Sequence, residues 1–272
     1  MDYRDCQMGK RPVFTKGLWQ KNLAEIGRID KIYLDRNGGI WYNERVAGVP
    51  PPVNRKGGQT MEPKFFKIPV CVGDVTLRVA KGHFATRHSH INYFIDVTRQ
   101  QSCLQEAEAV ARQLAQRLQA NTMVDTILCM DGTRVIGTCL ARQLTQEGGL
   151  SVNAGKEIYL LRENVSSNGK LIFRDNARFM LEGKNVLLLL ASITTGSTVG
   201  KGMRCVQYYG GSVSGVSAVY SHLNEVEGVP VVSLFNTADL PDYASYAPQD
   251  CPLCRQGREM DAMIDKYGYE KL

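Results

Sequence analysis

The stretch from Val186 to Thr198 reads VLLLLASITTGST, and it decides the predicted fold. An apolar run enters a short loop of hydroxyl residues and glycine, and a helical pattern follows. This arrangement directs backbone N–H groups and the positive end of a helix at one point, which suits a phosphate dianion. Gly196 allows the backbone to approach a ligand closely, and the hydroxyl groups add donors. The predicted phosphate-binding residues are Thr194, Thr195, Gly196, Ser197 and Thr198.

Two other phosphate motifs do not fit this loop. Three residues separate Gly196 from Gly200, where a Walker A loop has four, and Gly202 stands where that motif needs serine or threonine. No Gly-x-Gly-x-x-Gly pattern follows a strand pattern. A helix capped by serine or threonine, without any ligand, is the alternative interpretation of the same residues.

From residue 102 onward, strand patterns alternate with helix patterns. Such alternation predicts an α/β fold with a mostly parallel sheet flanked by helices, and ligands bind such sheets beyond the carboxyl ends of the strands. Ser102 and Gln105 fit a capping box at the start of the first helix. The apolar face of that helix comprises Leu104, Ala107, Ala111, Leu114 and Leu118. Strands are predicted at 125–129, 158–161, 186–190, 213–220 and 229–234, and further helices at 134–146 and 198–209.

The first hundred residues have a β-rich pattern. Hairpins are predicted from 32–34 with 40–42 and from 65–72 with 75–80, because turn residues separate the two runs of each pair. A loop rich in proline and glycine covers 46–60. The predicted organisation is a β-rich extension over 1–100, an α/β core over 101–246 and a polar tail over 247–272.

The composition limits the classes of function. The 272 residues carry 33 basic and 27 acidic side chains, a net charge of +6 without any dense basic run, so nucleic acid is an unlikely partner. The longest apolar run is too short to cross a bilayer. We expect no signal peptide and no membrane association. Eight scattered cysteines are typical of free thiols in a reducing cytoplasm.

Four segments resemble the type I phosphoribosyltransferases, in the same order. Ile193–Thr198 resembles their signature loop, and Cys129–Gly137 (CMDGTRVIG) resembles their pyrophosphate loop. Arg162–Gly169, with the return through 183–186, resembles their mobile catalytic loop. Phe84–Asp96 (FATRHSHINYFID) is similar to the N-terminal motif of orotate phosphoribosyltransferases. The resemblance covers about residues 80 to 235 and implies the fold of that family, dimers included.

The resemblance also implies an activity and a set of site residues. The family transfers a ribosyl 5-phosphate from phosphoribosyl pyrophosphate to a nitrogen base, here a pyrimidine such as orotate, with Mg²⁺. The implied pyrophosphate-binding residues are Asp131, Gly132, Thr133 and Arg134. The implied catalytic residues are Arg162, Asn168 and Asp131. The implied base-binding residues are His88, His90, Tyr93 and Phe94, although a buried strand pair would explain the last two equally well.

The chain departs from the family pattern in two places. Leu190 and Ala191 stand where the signature has two acidic residues that hold ribose hydroxyls and support the metal. Ser166 and Asn168 stand where the mobile loop usually brings lysine and histidine to the pyrophosphate. Each lost donor should cost about 2.7–4 kcal/mol of transition-state stabilisation. Candidate replacements are the carboxylates of Asp131, Glu163 and Asp175 and the cations of Lys170, Arg174 and Arg178.

Two functions follow from this pattern. The first is an active phosphoribosyltransferase, which the pyrophosphate-like turn and the mobile-loop-like segment favour. The second is a catalytically inactive sensor that binds phosphoribosyl pyrophosphate or a nucleotide, which the missing acidic pair favours.

Cys251-Pro-Leu-Cys254 has the spacing of metal ligands. A structural zinc ion needs four ligands, and His88 and His90, two apart on one strand, could complete the set. The alternatives are a free dithiol, or histidines that serve the mouth of the active site. A zinc-stabilised interaction module is therefore a third hypothesis. His83 and His222 are assigned no role from the sequence.

Overall fold

A computed structural model describes residues 32–34, 40–42, 65–69, 73–86, 89–149, 151–166, 169–265 and 268–271. Its contacts divide the chain into two units, Met1–Gln59 and Thr60–Leu272. In the first unit, β1 (Ile32–Leu34) and β2 (Ile40–Tyr42) pair antiparallel, which confirms the predicted hairpin.

The second unit contains two sheets and six described α-helices. In chain order its elements are β3 (Phe65–Pro69), β4 (Thr76–Ala85), β5 (His90–Asp96), α1 (Thr98–Ser102), α2 (Leu104–Arg117), β6 (Thr126–Cys129), α3 (Arg134–Thr145), β7 (Tyr159–Arg162), α4 (Asp175–Arg178), β8 (Asn185–Ile193), α5 (Ser197–Tyr208), β9 (Ser212–Ser221), β10 (Glu225–Val226), β11 (Val229–Phe235), β12 (Ser245–Tyr246), a 3-10 turn (Pro248–Asp250), α6 (Pro252–Arg255), β13 (Ala262–Asp265) and β14 (Gly268–Lys271).

The first sheet has the order β10-β11-β9-β8-β6-β7, and all its strands except β10 run parallel. Leu188 in the middle of β8 lies opposite Leu128 of β6 and Val216 of β9. The predicted α/β fold with a mostly parallel sheet is confirmed.

Both faces of β8 are covered, because successive side chains point to opposite sides of a strand. Leu187 and Leu189 lie in one hydrophobic cluster with α2 and α3, while Leu188 and Leu190 lie in the other with α5. All four leucines are 0 % exposed. A continuous apolar run is the expected sequence of a strand that is buried on both faces.

The second sheet joins the N-terminal and C-terminal parts of this unit. Its order is β12-β5-β4-β13-β14, and β3 also pairs with β4, as the second predicted hairpin requires. A bulge interrupts the pairing of β4 with β5 between Lys81 and Phe84. β13 and β14 lie within the segment that is predicted from its composition to be a polar tail; these short strands instead extend the sheet next to β4.

The predicted capping box is wrong. Ser102 ends α1, and α2 begins after Cys103 without any side-chain cap. The backbone turns into a helix earlier, where the Thr98 N–H donates to Oδ1 of Asp96 at 3.1 Å. Leu104 is 55 % exposed and so does not belong to the apolar face of α2. No helix in the described ranges is both long enough and apolar enough to cross a membrane.

The central position of β8 leads to a first prediction. Leu188→Ala should lower the free energy of unfolding by about 2–5 kcal/mol, because it leaves a cavity between two packed layers. Leu104→Ala makes the same chemical change at an exposed position and should stay within about 0.5 kcal/mol of the unchanged chain. Urea unfolding followed by circular dichroism measures both. Equal losses in the two variants would contradict the central role of β8.

Candidate functional site

Three loops meet at the carboxyl edge of the first sheet. The Met130 N–H donates to the Leu189 carbonyl at 2.9 Å, and the Glu163 N–H donates to the Cys129 carbonyl at 3.2 Å. These bonds hold the segment after β6 beside β8 and the segment after β7 beside β6. The loop after β8 is the predicted phosphate loop, 194–198. Sites on parallel sheets are found at this edge.

The backbone of the phosphate loop turns at Gly196. This glycine has φ 75° and is the N-cap of α5, and the Gly200 N–H donates to its carbonyl at 2.9 Å. A Cβ atom here would lie 3.2 Å from side-chain atoms of Leu223 and Val226. The side chains of Thr195, Ser197 and Thr198 are exposed. The first N–H groups of a helix lack acceptors within it, so the loop can offer both amide and hydroxyl donors to an anion.

The predicted pyrophosphate turn lies between β6 and α3. Asp131 has φ 50° and Gly132 has φ 80°, so two successive residues of this turn have left-handed backbone conformations. The buried Thr133 hydroxyl bonds to the carbonyls of Met130 at 2.8 Å and Leu189 at 3.0 Å. That hydroxyl therefore holds the turn against β8. Arg134 is the exposed first residue of α3.

The positions of the missing acidic pair belong to the hydrophobic core. Leu190 is 0 % exposed and Ala191 is 6 % exposed, and they lie in opposite core clusters. The end of β8 therefore offers neither a carboxylate nor any other oxygen side chain at these two positions. Mg²⁺ prefers oxygen ligands, so these residues do not fit a magnesium ion held by the strand.

The segment after β7 forms a small hairpin of its own. Val165 pairs with Leu171, and the Ser166 hydroxyl donates to the Lys170 carbonyl at 2.9 Å. Arg162 is exposed at the end of β7. Asn168 lies outside the described residues. A pocket of about 470 Å³ is lined by Asn164, Ser166, Ile172, Phe173, Arg174 and Asp175.

The aromatic pair expected near the base is buried. Tyr93 is 5 % exposed and Phe94 is 6 % exposed. The Tyr93 hydroxyl donates to Oδ1 of Asp242 at 2.8 Å, and Nζ of Lys81 lies 2.6 Å from Oδ2. Bonds from Lys81 and Tyr93 hold the pKa of Asp242 below its usual range. These contacts favour the interpretation of the pair as a buried strand pair.

A polar cluster beside the phosphate loop is not found by sequence reasoning. It consists of Tyr220, His222 and Tyr243, with ring centroids 5.8 Å apart for the two tyrosines and 5.2 Å apart for His222 and Tyr243. The backbone N–H of His222 donates to the Ile193 carbonyl at 2.8 Å, which places His222 beside the residue that precedes Thr194.

The polar atoms of this cluster are shielded from solvent. Within the described part of the chain, the buried Tyr220 hydroxyl and His222 Nδ1 have no hydrogen-bond partner. Burial raises the pKa of Tyr220 to about 12 and that of Tyr243 further still, so both hydroxyls keep their protons at neutral pH. Buried polar groups normally have partners, so these two unpartnered atoms stand out within the described residues.

The structure changes the predicted metal ligands. His83, His90, Cys251 and Cys254 each offer a ligand atom, and these atoms lie within 4.8 Å of one another. His88 lies outside the described residues, and His83 takes the place that the sequence predicts for it. His90 pairs with Ala85, and His83 is two residues before Ala85, so both imidazoles share one face of the sheet. Burial lowers the pKa of His90, and His83 adds to this effect.

Comparison with known proteins agrees with the resemblance. No model of a protein family matches the chain. The orotate phosphoribosyltransferase of Pelotomaculum thermopropionicum is 29 % identical over 192 residues, which are 69 % of this chain and 91 % of that protein. The orotate phosphoribosyltransferase of Chlorobaculum parvum is 27 % identical over 183 residues, 66 % of this chain and 86 % of that protein.

Solved structures of the same class are also similar. The orotate phosphoribosyltransferase from Aeropyrum pernix has a TM-score of 0.44 at 16 % identity and covers 60 % of this chain and 90 % of its own. The adenine phosphoribosyltransferase from Thermoanaerobacter pseudethanolicus has a TM-score of 0.41 at 19 % identity and covers 53 % of this chain and 88 % of its own. The curated relatives confirm the predicted similarity to orotate phosphoribosyltransferases, a class of transferases.

The geometry at Gly196 gives a second prediction. Gly196→Ala should destabilise the chain and weaken the binding of inorganic phosphate, because the new methyl group meets Leu223 and Val226. Gly228→Ala is the matched control, since Gly228 has a similar φ of 79° but no atom within 4 Å of the added group. The free energy of unfolding of this control should fall by about 1–2 kcal/mol, because alanine is strained at a positive φ.

The free energy of unfolding of Gly196→Ala should fall by about 1–3 kcal/mol more than that of the control, because of the added crowding. Urea unfolding measures the cost, and the rise in melting temperature with added phosphate measures binding. A phosphate response that survives Gly196→Ala unchanged would contradict a ligand at this loop.

Proposed function

We propose that this protein binds phosphoribosyl pyrophosphate and transfers its phosphoribosyl group to a pyrimidine base such as orotate. The observation that carries the proposal is the pairing of two loops. Thr133 holds the turn Asp131–Arg134 against Leu189 of β8, and the phosphate loop 194–198 follows the end of the same strand. Similarity to curated orotate phosphoribosyltransferases supports the same function.

The 5′-phosphate would bind at the start of α5. The exposed hydroxyls of Thr195, Ser197 and Thr198 surround the first turn of this 12-residue helix. Amide groups there carry partial positive charge, and they can bind a dianion without a nearby lysine. Because these donors are fixed by the backbone, they orient the sugar before any reaction begins.

The pyrophosphate would leave toward the turn Asp131–Arg134. Positive charge develops on the ribose while negative charge develops on the departing group, so donors fixed at that group stabilise the transition state. Arg134 is exposed on the first turn of α3 and can reach an anion there. Arg162 would add charge from the root of the mobile loop, and Asn168 would contribute an amide.

We place the base at the cluster of Tyr220, His222 and Tyr243. The cluster adjoins the phosphate loop, because the His222 backbone N–H donates to the carbonyl of Ile193, the residue before Thr194. Protonated tyrosine hydroxyls donate to base carbonyls, and an imidazole can donate or accept. Unpartnered buried groups discriminate strongly against ligands that lack the matching atom. His88 and His90, with Tyr93 and Phe94, are the alternative base-binding set.

Magnesium would enter with the substrate. Leu190 and Ala191 offer it no ligand, so the phosphates of phosphoribosyl pyrophosphate would supply the oxygen atoms that hold it. A bound Mg²⁺ supplies charge neutralisation at the pyrophosphate oxygens. The chain's own residues would then orient the sugar and the leaving group.

A sensor that binds the same ligand without turnover is the second candidate function. The burial of Leu190 and Ala191 in the core supports it, because neither side chain offers an oxygen atom to the ribose hydroxyls. Such a protein would retain both phosphate loops and bind nucleotide, while transfer would be slow or absent.

We further propose a homodimer in the cytoplasm. The dimer rests on the family resemblance, in which mobile loops reach a neighbouring subunit. The reducing compartment is supported by the cysteines of the described residues, which are all free thiols.

The activity is tested by pyrophosphate release from phosphoribosyl pyrophosphate, Mg²⁺ and orotate. Arg134→Ala should lower kcat by about 100-fold or more, the loss expected of one strong transition-state donor. Arg142→Ala is the matched control on the same helix, where the arginine pairs with Glu108 at 3.6 Å, and it should leave the rate unchanged. Release that depends on the base and is lost only with Arg134 establishes the transferase.

A binding measurement separates the two functions. Calorimetry with orotidine 5′-monophosphate should give tight binding that Thr195→Ala weakens by about 10-fold, the value of one hydrogen bond to a charged group. Thr138→Ala removes an exposed hydroxyl that only bonds to its own helix, at the Arg134 carbonyl, and serves as control. Binding without pyrophosphate release supports the sensor. If the protein neither binds the nucleotide nor releases pyrophosphate, both functions are contradicted.

A further inference from the structure

Two histidines and two cysteines converge near the turn of the β4–β5 hairpin in the second sheet. His83 and His90 come from the β4–β5 hairpin, Cys251 is the N-cap of α6, and Cys254 lies within that helix. His83 and Cys251 are 0 % exposed, while Cys254 is at the surface. The two parts of the cluster are separated by more than 160 residues, so only the folded chain brings them together.

The distances between the ligand atoms fit one tetrahedral ion. Nε2 of His83 lies 3.3 Å from Nδ1 of His90 and 3.5 and 3.6 Å from the sulfurs of Cys251 and Cys254. The Cys254 sulfur lies 3.2 Å from Nδ1 of His90. Around a tetrahedral zinc ion, standard bond lengths give about 3.3 Å between two nitrogens and about 3.6 Å between nitrogen and sulfur.

The surroundings of His83 set its tautomer. Its Nδ1 lies 3.0 Å from the Arg258 carbonyl and 3.3 Å from the Glu259 carbonyl. Carbonyl oxygens only accept, so Nδ1 carries the proton and Nε2 turns its lone pair toward the other three ligands. Metal-binding histidines typically donate their second N–H in this way. The His83 backbone N–H also donates to Asp261 at 2.7 Å, which fixes the residue further.

We infer that His83, His90, Cys251 and Cys254 bind one structural zinc ion. Two thiolates and two imidazoles in tetrahedral positions are typical of zinc, and four protein ligands leave no place for a substrate. The ion joins the C-terminal segment to the β4–β5 hairpin. The site is independent of the proposed transfer reaction.

Zinc content is the first test. The full chain, expressed without a histidine tag and purified without chelator, should contain about one zinc per chain by mass spectrometry. Cobalt in place of zinc should give the visible absorption of tetrahedral cobalt bound by thiolates. Release of the zinc to a strong chelator should lower the melting temperature and open the segment after Cys251 to protease.

The variants identify the ligands. His83→Gln and Cys254→Ser should each weaken zinc binding by at least about 100-fold. Even substitutions of residues that only hydrogen-bond to a metal ligand lower metal affinity by about 10–100-fold. His88→Gln and Cys103→Ser are the matched controls and should keep the full zinc content. Because Cys254 is at the surface, Cys254→Ser gives a folded variant even if His83→Gln does not.

Three results would overturn the inference. One is a chain that contains no zinc and takes up no cobalt under reducing conditions. The second is a thiol titration of the denatured fresh protein that finds six of the eight cysteines, with Cys251 and Cys254 joined by a disulfide. The third is loss of zinc in His88→Gln together with its retention in His83→Gln.

Discussion

The burial of β8 on both faces is the constraint on which the rest of the structure depends. Its neighbours β6 and β9 fix its register, and α3 and α5 cover its two sides. Because every side chain from Val186 to Ala191 is buried, polar chemistry is confined to the loop where the strand ends. The same strand supports the neighbouring turn, since the Leu189 carbonyl accepts bonds from both Met130 and Thr133.

This constraint explains what the chain keeps and what it lacks. Leu190 is fully buried in a packed cluster. A carboxylate at this position would be an unpaired buried charge, which costs several kcal/mol, unless the side chain moved out of the core. The chain has apolar residues there and gains core packing. The proposed phosphate loop would use backbone amides and exposed hydroxyls, which do not depend on the strand's side chains. Under the proposed function, ligand binding would therefore not depend on the residues at the end of β8 that the family uses for catalysis.

Local patterns predict most of the first sheet from the sequence, because the spacing of apolar residues and the positions of turn residues are visible within a few residues of the chain. The ends of the helix before β9 lie within one residue of the prediction. The capping box fails because Asp96 starts a helix earlier than Ser102 could. His83 and His222 are missed for other reasons. The partners of His83 lie far away in the chain. His222 stands out only because its buried Nδ1 has no partner among the described residues. No spacing rule relates His83 to Cys251, since folding alone brings them together.

The segment after β11 connects the second sheet to the candidate site through adjacent residues. Asp242 bonds to Lys81 of β4 and Tyr93 of β5, while the next residue, Tyr243, packs against Tyr220 and His222 beside Thr194. The Asn92 side chain then bonds to the backbone of Asp242 and Ala244 on either side of that tyrosine. The position of Tyr243 is therefore fixed from the second sheet. Further along the chain, Cys251 and Cys254 join His83 and His90 of the second sheet in the histidine–cysteine cluster, so this segment contacts the second sheet at both of its ends.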